Sequence, residues 1–279
     1  MSKQSHDVLD TAVAFLQKRD GTDKVLKICR YSVKLLLAVA LKPRAGQTAG
    51  SGSESETVRR LKSFESSVGA SRKALRVGKF LQDVDALRKA PPFSSVEGFL
   101  ELVASGGEGV YYFVEQLVWL VKTGALHKKH SRQLEKISAW AEFIGYFGSV
   151  TLTSMEITTL LHKERSVSLQ IKNQPIPFSN GESCQSPDQA GSSSGSSSMD
   201  MTSSEEAARK VLKALRFKRL LKTLALIQDL SDALLSLHDI LEDSNGSSPL
   251  GNPALLAACG LLSALISTHK TWVTASGSG

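Results

Sequence analysis

Six histidines, His6, His127, His130, His162, His238 and His269, are the first place to look for metal or acid–base chemistry, and their scatter argues against both. His127 and His130 are three apart, but Lys128, Lys129 and Arg132 surround them and no carboxylate precedes Glu135, so a metal cation would be repelled. The paired acids Asp83/Asp85 and Glu242/Asp243 have the spacing of solvated helix faces and helix ends. Cys29, Cys184 and Cys259 form neither a CxxC nor a Cys/His cluster, which predicts a reducing compartment without disulfides or zinc. The glycines Gly106, Gly107 and Gly109 follow no strand and carry no Lys-Ser/Thr partner, so they do not cradle a phosphate; serine-elbow, Rossmann and HExxH patterns are missing too. No catalytic constellation, metal site or cofactor is expected.

What remains is surface chemistry, concentrated between Thr57 and Ala90. Projected at about 100° per residue, Val58, Leu61, Phe64, Val68, Leu75 and Leu81 fall on one side, with small Ser71 and Gly78 between them. Arg59, Arg60, Lys62, Arg72, Lys73, Arg76 and Lys79 occupy the other faces, and Glu65 is the single acid between Arg59 and Lys79. With no internal proline, one helix of roughly nine turns is expected. A narrow apolar stripe with Lys/Arg flanks suits a helix lying in a membrane interface, the stripe among acyl chains and the cations on anionic headgroups. Periodicity alone favours the plainer alternative, a stripe packed on other helices with a solvated basic face.

The rest of the chain also reads as helical. An N-terminal pair spans 1–42, with Asp20-Gly21-Thr22-Asp23 breaking the first helix and capping a second from Lys24. A Gly/Ser/Glu linker covers 43–56, and Pro91-Pro92 ends the basic helix. Residues 91–172 hold apolar helices, read as a short segment to Ala104, a turn at Gly106 to Gly109, and a helix from Val110 to Val121. That last run spans only about 18 Å against a bilayer core of about 30 Å. Ile137 to Leu161 is a second candidate membrane span, if Glu142 and Glu156 sit at the interfaces or against protein. Trp140, Phe143, Tyr146 and Phe147 suit an interface belt or a helix contact. A Ser/Gly-rich linker covers 173–204, followed by a long amphipathic helix over 205–243, basic in its first half and acidic in its second.

Residues 244–279 are read as a transmembrane segment and short tail. Asn245 to Thr268 carries no charge over twenty-four positions, and His269, Lys270 and Trp272 supply a basic, aromatic boundary. Gly260 and Ala264 offer a small-xxx-small face for another helix. Asn245-Gly246-Ser247 is a sequon, relevant only in a glycosylating lumen. Asp7, Asp10 and Asp20 argue against a cleaved secretory signal. The net charge of +7 and pI near 9.3 point to anionic partners. No nucleic-acid fingerprint accompanies the basic runs, so a membrane is the expected partner and nucleic acid is not. The fold class expected is all-α: an integral membrane helical protein with amphipathic interfacial helices and a C-terminal transmembrane segment.

Five runs resemble the peroxin-eleven family, especially its plant branch: LQKRDGTDKVLKICRYSVKLLLA (16–38), RLKSFESSVGASRKALRVGKFLQDVDALR (60–88), GGEGVYYFVEQLVWLVKTG (106–124), KISAWAEFIGYFGSV (136–150) and LLSALISTHKTW (261–272). The resemblance implies a multi-pass peroxisomal membrane protein with cytosolic termini and no enzymatic activity. Its implied role is to promote peroxisome elongation, proliferation and fission through an amphipathic helix at Thr57 to Ala90, and it tips that stretch to the lipid-inserting reading. It further implies self-association and cooperation with a dynamin-related GTPase and its tail-anchored fission adaptor. A different class of function, a pore for small metabolites lined by Glu142 and Glu156, is the alternative.

Overall fold

A computed structural model describes residues 8–40, 56–127, 129, 131–173, 197–242 and 250–276. All secondary structure among them is helical: α1 Val8–Gln17, α2 Arg19–Ala40, α3 Glu56–Leu75, α4 Phe80–Lys89, α5 Val96–Lys122, α6 Ser131–Asn173, α7 Ser197–Leu241 and α8 Pro253–Ser276. The 43–56 linker up to Ser55, most of the 173–204 linker, the sequon at Asn245 and the last three residues lie outside the described residues. Two compact units form, one from 1–153 with 224–279 and one from 154–223.

In the first unit the N-terminal break falls at Lys18, and α2 starts at Arg19, five residues before the expected Lys24. A Cβ on Gly21 would run into the Phe15 carbonyl, so only glycine lets the chain fold back this closely. Helix α2 then packs on α8. The Tyr31 ring fills the space where Gly260 has no side chain, and the rings of Phe15 and Trp272 lie 5.7 Å apart. Lys27 donates to both Asp232 carboxylate oxygens at 2.9–3.0 Å and to the Ser263 hydroxyl at 2.7 Å, joining α2, α7 and α8 through one buried ion pair.

Two expectations for the middle of the chain are corrected. The 57–90 stretch is not one helix: α3 ends at Leu75, and α4 starts at Phe80 after a turn in which Gly78 takes φ 76°. That left-handed conformation costs an L side chain about 1–2 kcal/mol and costs glycine nothing comparable, so Gly78 is a hinge point rather than a spacer in a stripe. Conversely, Gly106 to Gly109 is no turn but the middle of the 27-residue α5. Gly107 is there because α6 passes backbone to backbone, whereas Gly109 faces Asp83 on α4. A Cβ on Gly107 would stand 2.6 Å from the Gly145 nitrogen and 2.8 Å from the Ala141 carbonyl, and one on Gly148 would stand 2.7 Å from the Ala104 nitrogen. Between α4 and α5, Ala90 is extended ahead of Pro91-Pro92, and the Ser95 hydroxyl caps α5 by accepting from Gly98 N at 3.0 Å.

The second unit consists of the distal part of α6 and the first half of α7. Helix α7 begins at Ser197, so the last residues assigned to the linker are helical. Glu164, buried between the two helices, forms ion pairs with Arg219 at 3.1 Å and with Arg216 at 3.5 Å, while Glu156 pairs with Lys222.

Candidate membrane interface

The stripe residues on α3 and α4 divide by position. Phe64 is 49 % exposed and Leu81 is 60 % exposed; Val58, Leu61 and Leu75 are half-buried; Val68 is buried. Helix α4 adds Val84, also exposed, one turn on from Leu81. The apolar surface that solvent or lipid can reach is therefore the outer part of α3 and the face of α4, separated by the Gly78 hinge.

The seven cations divide in the same way. Arg59 and Arg60 are exposed and bridge to Glu56 at 2.7 and 2.9 Å, the weak kind of surface pair, and Lys62 faces solvent beside them. Arg72, Lys73, Arg76 and Lys79 do not form the outward basic face read from the sequence. Arg72 Nε donates to Asp23 Oδ1 at 2.9 Å, Lys73 donates to Glu115 at 3.1 Å, and Arg76 spans from Asp23 to Glu115 at 3.3 Å each with the Tyr111 hydroxyl at 3.1 Å. Lys79 reaches the Tyr112 hydroxyl and sits 4.2 Å over its ring. These four cations fasten the end of α3 and the turn after it to α2 and α5. Burial alone would raise the Asp23 carboxyl, but Arg76 and Arg72 outweigh it and hold Asp23 down at about 2.

Asp83 is the opposite case. Burial, and after it the nearby Glu108 carboxylate, push its carboxyl up to about 7, with Lys79 only partly offsetting them. Its Oδ2 has no hydrogen-bond partner and its Cβ faces Gly109 on α5. Sequence spacing makes Asp83/Asp85 a solvated pair; Asp85 does face outward, bridging to Arg88 at 3.5 Å and to Lys89 at 2.5 Å, whereas Asp83 turns into the α4–α5 seam.

Among the described residues one helix is long and apolar enough to cross a membrane, Pro253–Thr274, with mean hydropathy 1.3. A third of that window is buried, and Leu255, Leu262 and Leu265 point outward. Gly260 is buried against Tyr31, and Ala264 is fully enclosed. On α6, Ile137, Trp140, Ile144 and Phe147 make an outward stripe at steps of three and four. Alongside an apolar core that includes Val33, Leu37, Val118 and Val121, the first unit thus buries ion pairs and presents leucine, isoleucine and aromatic side chains on its outer faces. His238, Asp239 and Glu242 do bring ligand-type atoms within 4.8 Å of one another at the end of α7, but two of the three side chains are exposed.

An all-α chain with an apolar C-terminal helix and outward hydrophobic faces is a helical membrane protein. The chain belongs to the Peroxisomal biogenesis factor 11 (PEX11) family, whose model matches residues 9–272. It is 40 % identical over 271 residues to Peroxisomal membrane protein 11A of Arabidopsis thaliana, covering 97 % of this chain and 95 % of that one. It is 43 % identical over 267 residues to Peroxisomal membrane protein 11-3 of Oryza sativa subsp. japonica and 37 % identical over 269 residues to 11-2, covering 95 % of this chain and 89 % of the relative in both cases. No solved structure matches. The chain therefore stands among the peroxisomal membrane proteins.

Proposed function

We propose that the protein promotes elongation and fission of peroxisomes by pressing the outer face of α3–α4 into the cytosolic leaflet. The observation that carries this reading is the pairing of exposed Phe64, Leu81 and Val84 with solvent-facing Arg59, Arg60 and Lys62 on a segment moored by its other cations. Three apolar side chains half-buried among headgroups contribute about 1 kcal/mol each. Each cation near an anionic surface adds up to about 1 kcal/mol. The total of about 6 kcal/mol suffices because α8 already holds the chain at the membrane, where the segment's effective concentration is high. A wedge in one leaflet enlarges it relative to the other, and self-association would concentrate the wedges into a tubule.

The outward stripe on α6 supports a second membrane-embedded helix, hence a multi-pass chain, with the termini cytosolic. Recruitment of a dynamin-related GTPase through its tail-anchored adaptor completes the proposal. The alternative, a pore lined by Glu142 and Glu156, gains no support: Glu142 accepts from the Tyr146 hydroxyl at 3.2 Å, and Glu156 is held by Lys222.

The test is tubulation of phosphatidylserine-containing vesicles by the reconstituted full chain. Phe64→Glu and Leu81→Glu abolish tubules while the protein stays in the membrane and keeps its helicity. Tubules that persist in both variants refute the proposal.

A further inference from the structure

The second unit carries a charged surface that the α3–α4 reading leaves unused. A groove of about 420 Å³ opens between its two helices, lined by Arg165 and Ser168 from α6, Arg216 and Arg219 from α7, and apolar Leu161 and Leu212 at its base with Glu164. The unit's two central acids are already committed, Glu164 to Arg216 and Arg219 and Glu156 to Lys222. Three cations on the groove side are exposed with no ion-pair partner among the described residues. Arg165 rims the groove, Lys172 lies about one turn beyond Ser168, and Lys213 lies about one turn before Arg216. The nearest unpaired carboxylate on α7, Glu206, is about two turns further towards the helix start.

Apolar side chains are set among these cations. Leu169, one turn on from Arg165, is exposed, and so is Leu220, one turn on from Arg216. Arginine forks match the bidentate geometry of a phosphate, and apolar side chains between them suit the headgroup–acyl boundary rather than open water. An acidic polypeptide would satisfy the cations but leave Leu169 and Leu220 in water, whereas a lipid surface takes both.

We propose that the groove face of residues 154–223 binds the phosphate-bearing headgroup layer of an anionic phospholipid membrane, giving this chain a second lipid-contact surface separate from α3–α4. A protein anchored by α8 and holding lipid through two surfaces restrains more membrane per copy than one wedge does.

The experiment uses the full chain with Cys29, Cys184 and Cys259 changed to Ser and an environment-sensitive dye at Leu169→Cys, reconstituted in phosphatidylcholine vesicles with or without phosphatidylserine. Dye emission rises, and lipid-borne quenchers reach it, only when phosphatidylserine is present, either in the same vesicles or in added ones. Arg165→Glu with Lys172→Glu and Lys213→Glu cuts this response at least about tenfold at unchanged helicity, since each cation near an anionic surface is worth up to about 1 kcal/mol. Arg165→Gln alone gives a smaller loss, and salt weakens the response in the unaltered surface. Phe64→Glu leaves the response intact, so the failure of the α3–α4 wedge and the failure of this surface read differently. An equal response in phosphatidylcholine, an undiminished response in the triple variant, or a response to polyglutamate but not to phosphatidylserine overturns the proposal.

Discussion

Arg72 on α3 and Asp23 on α2 face each other at 2.9 Å with both side chains less than a tenth exposed. Arg76 reaches the same carboxylate at 3.3 Å, so one acid moors two of the cations that helical periodicity places on a lipid-facing surface. Helix α3 is therefore tethered at its C-terminal end and open at its N-terminal half, with exposed Leu81 and Val84 beyond the tether on α4. Asp23→Ala leaves two guanidinium groups short of their acceptor, and losing one partner of such a buried pair costs about 3–5 kcal/mol. Thermal unfolding of the reconstituted protein, followed by circular dichroism, should show that loss; an unchanged midpoint would mean the pair does not hold α3.

The pH course of this tether follows from its carboxyl. Asp23 titrates at about 2 in the fold against 3.8 in a free chain. Its contribution is complete above about pH 4 and declines as pH falls through 4 towards 2. Stability should thus be insensitive to Asp23→Asn below about pH 2 and strongly sensitive to it at about pH 6, measured as the difference in unfolding midpoint.

Asp83 behaves oppositely. With its carboxyl raised to about 7 from 3.8, the folded protein favours the neutral form. The stability this group contributes is fully present below about pH 4 and is lost as pH rises through about 7. Asp83→Asn should flatten that slope and loosen nothing at about pH 8. The readout is hydrogen exchange of the α4 amides against pH; a slope that survives the substitution would rule Asp83 out as its source.

The α5–α6 crossing gives a steric prediction. Gly107→Ala places a methyl 2.6 Å from the Gly145 nitrogen, where backbone and not a side-chain tip must yield. Overpacking of this kind costs about 1–3 kcal/mol. Gly106→Ala, one residue away with only Leu102 at 3.9 Å, should be neutral or stabilising because alanine favours helix. Equal midpoints for the two variants would contradict the close crossing.

At the α2–α7–α8 junction, Asp232→Ala strands the Lys27 ammonium, which donates to Asp232 and Ser263, and should cost about 3–5 kcal/mol. Replacing both partners, Lys27→Met with Asp232→Leu, should recover most of that loss. A double variant as unstable as the single one would show that the site needs its charges.

The helical class, the apolar C-terminal helix and the proline stop after α4 are legible in the sequence because each rests on local pattern: periodicity, a charge-free run, a missing backbone donor. The fates of Arg72, Lys73 and Arg76 are not, since their partners Asp23 and Glu115 lie 39 to 53 residues away and periodicity records a cation without recording who meets it. Glycine misleads in both directions for one reason. Gly78 and Gly107 look alike in sequence, yet one is required by its own backbone angle and the other by the backbone of a different helix. The groove of the second unit is hidden at that level because Arg216 and Arg219 sit in the basic half of the 205–243 helix while Arg165 comes from a different helix, and periodicity does not show that the two meet.

The mooring of Arg72, Lys73 and Arg76 also sets how strongly an acidic leaflet can attract α3. A vesicle arriving at this segment meets the fringe of charge around Arg59 to Lys62, far less than a tally of lysines and arginines implies. Adhesion there should consequently fade only gently as salt is added, and a neutral side chain at position 23 should make the segment stickier even as it makes the molecule more fragile.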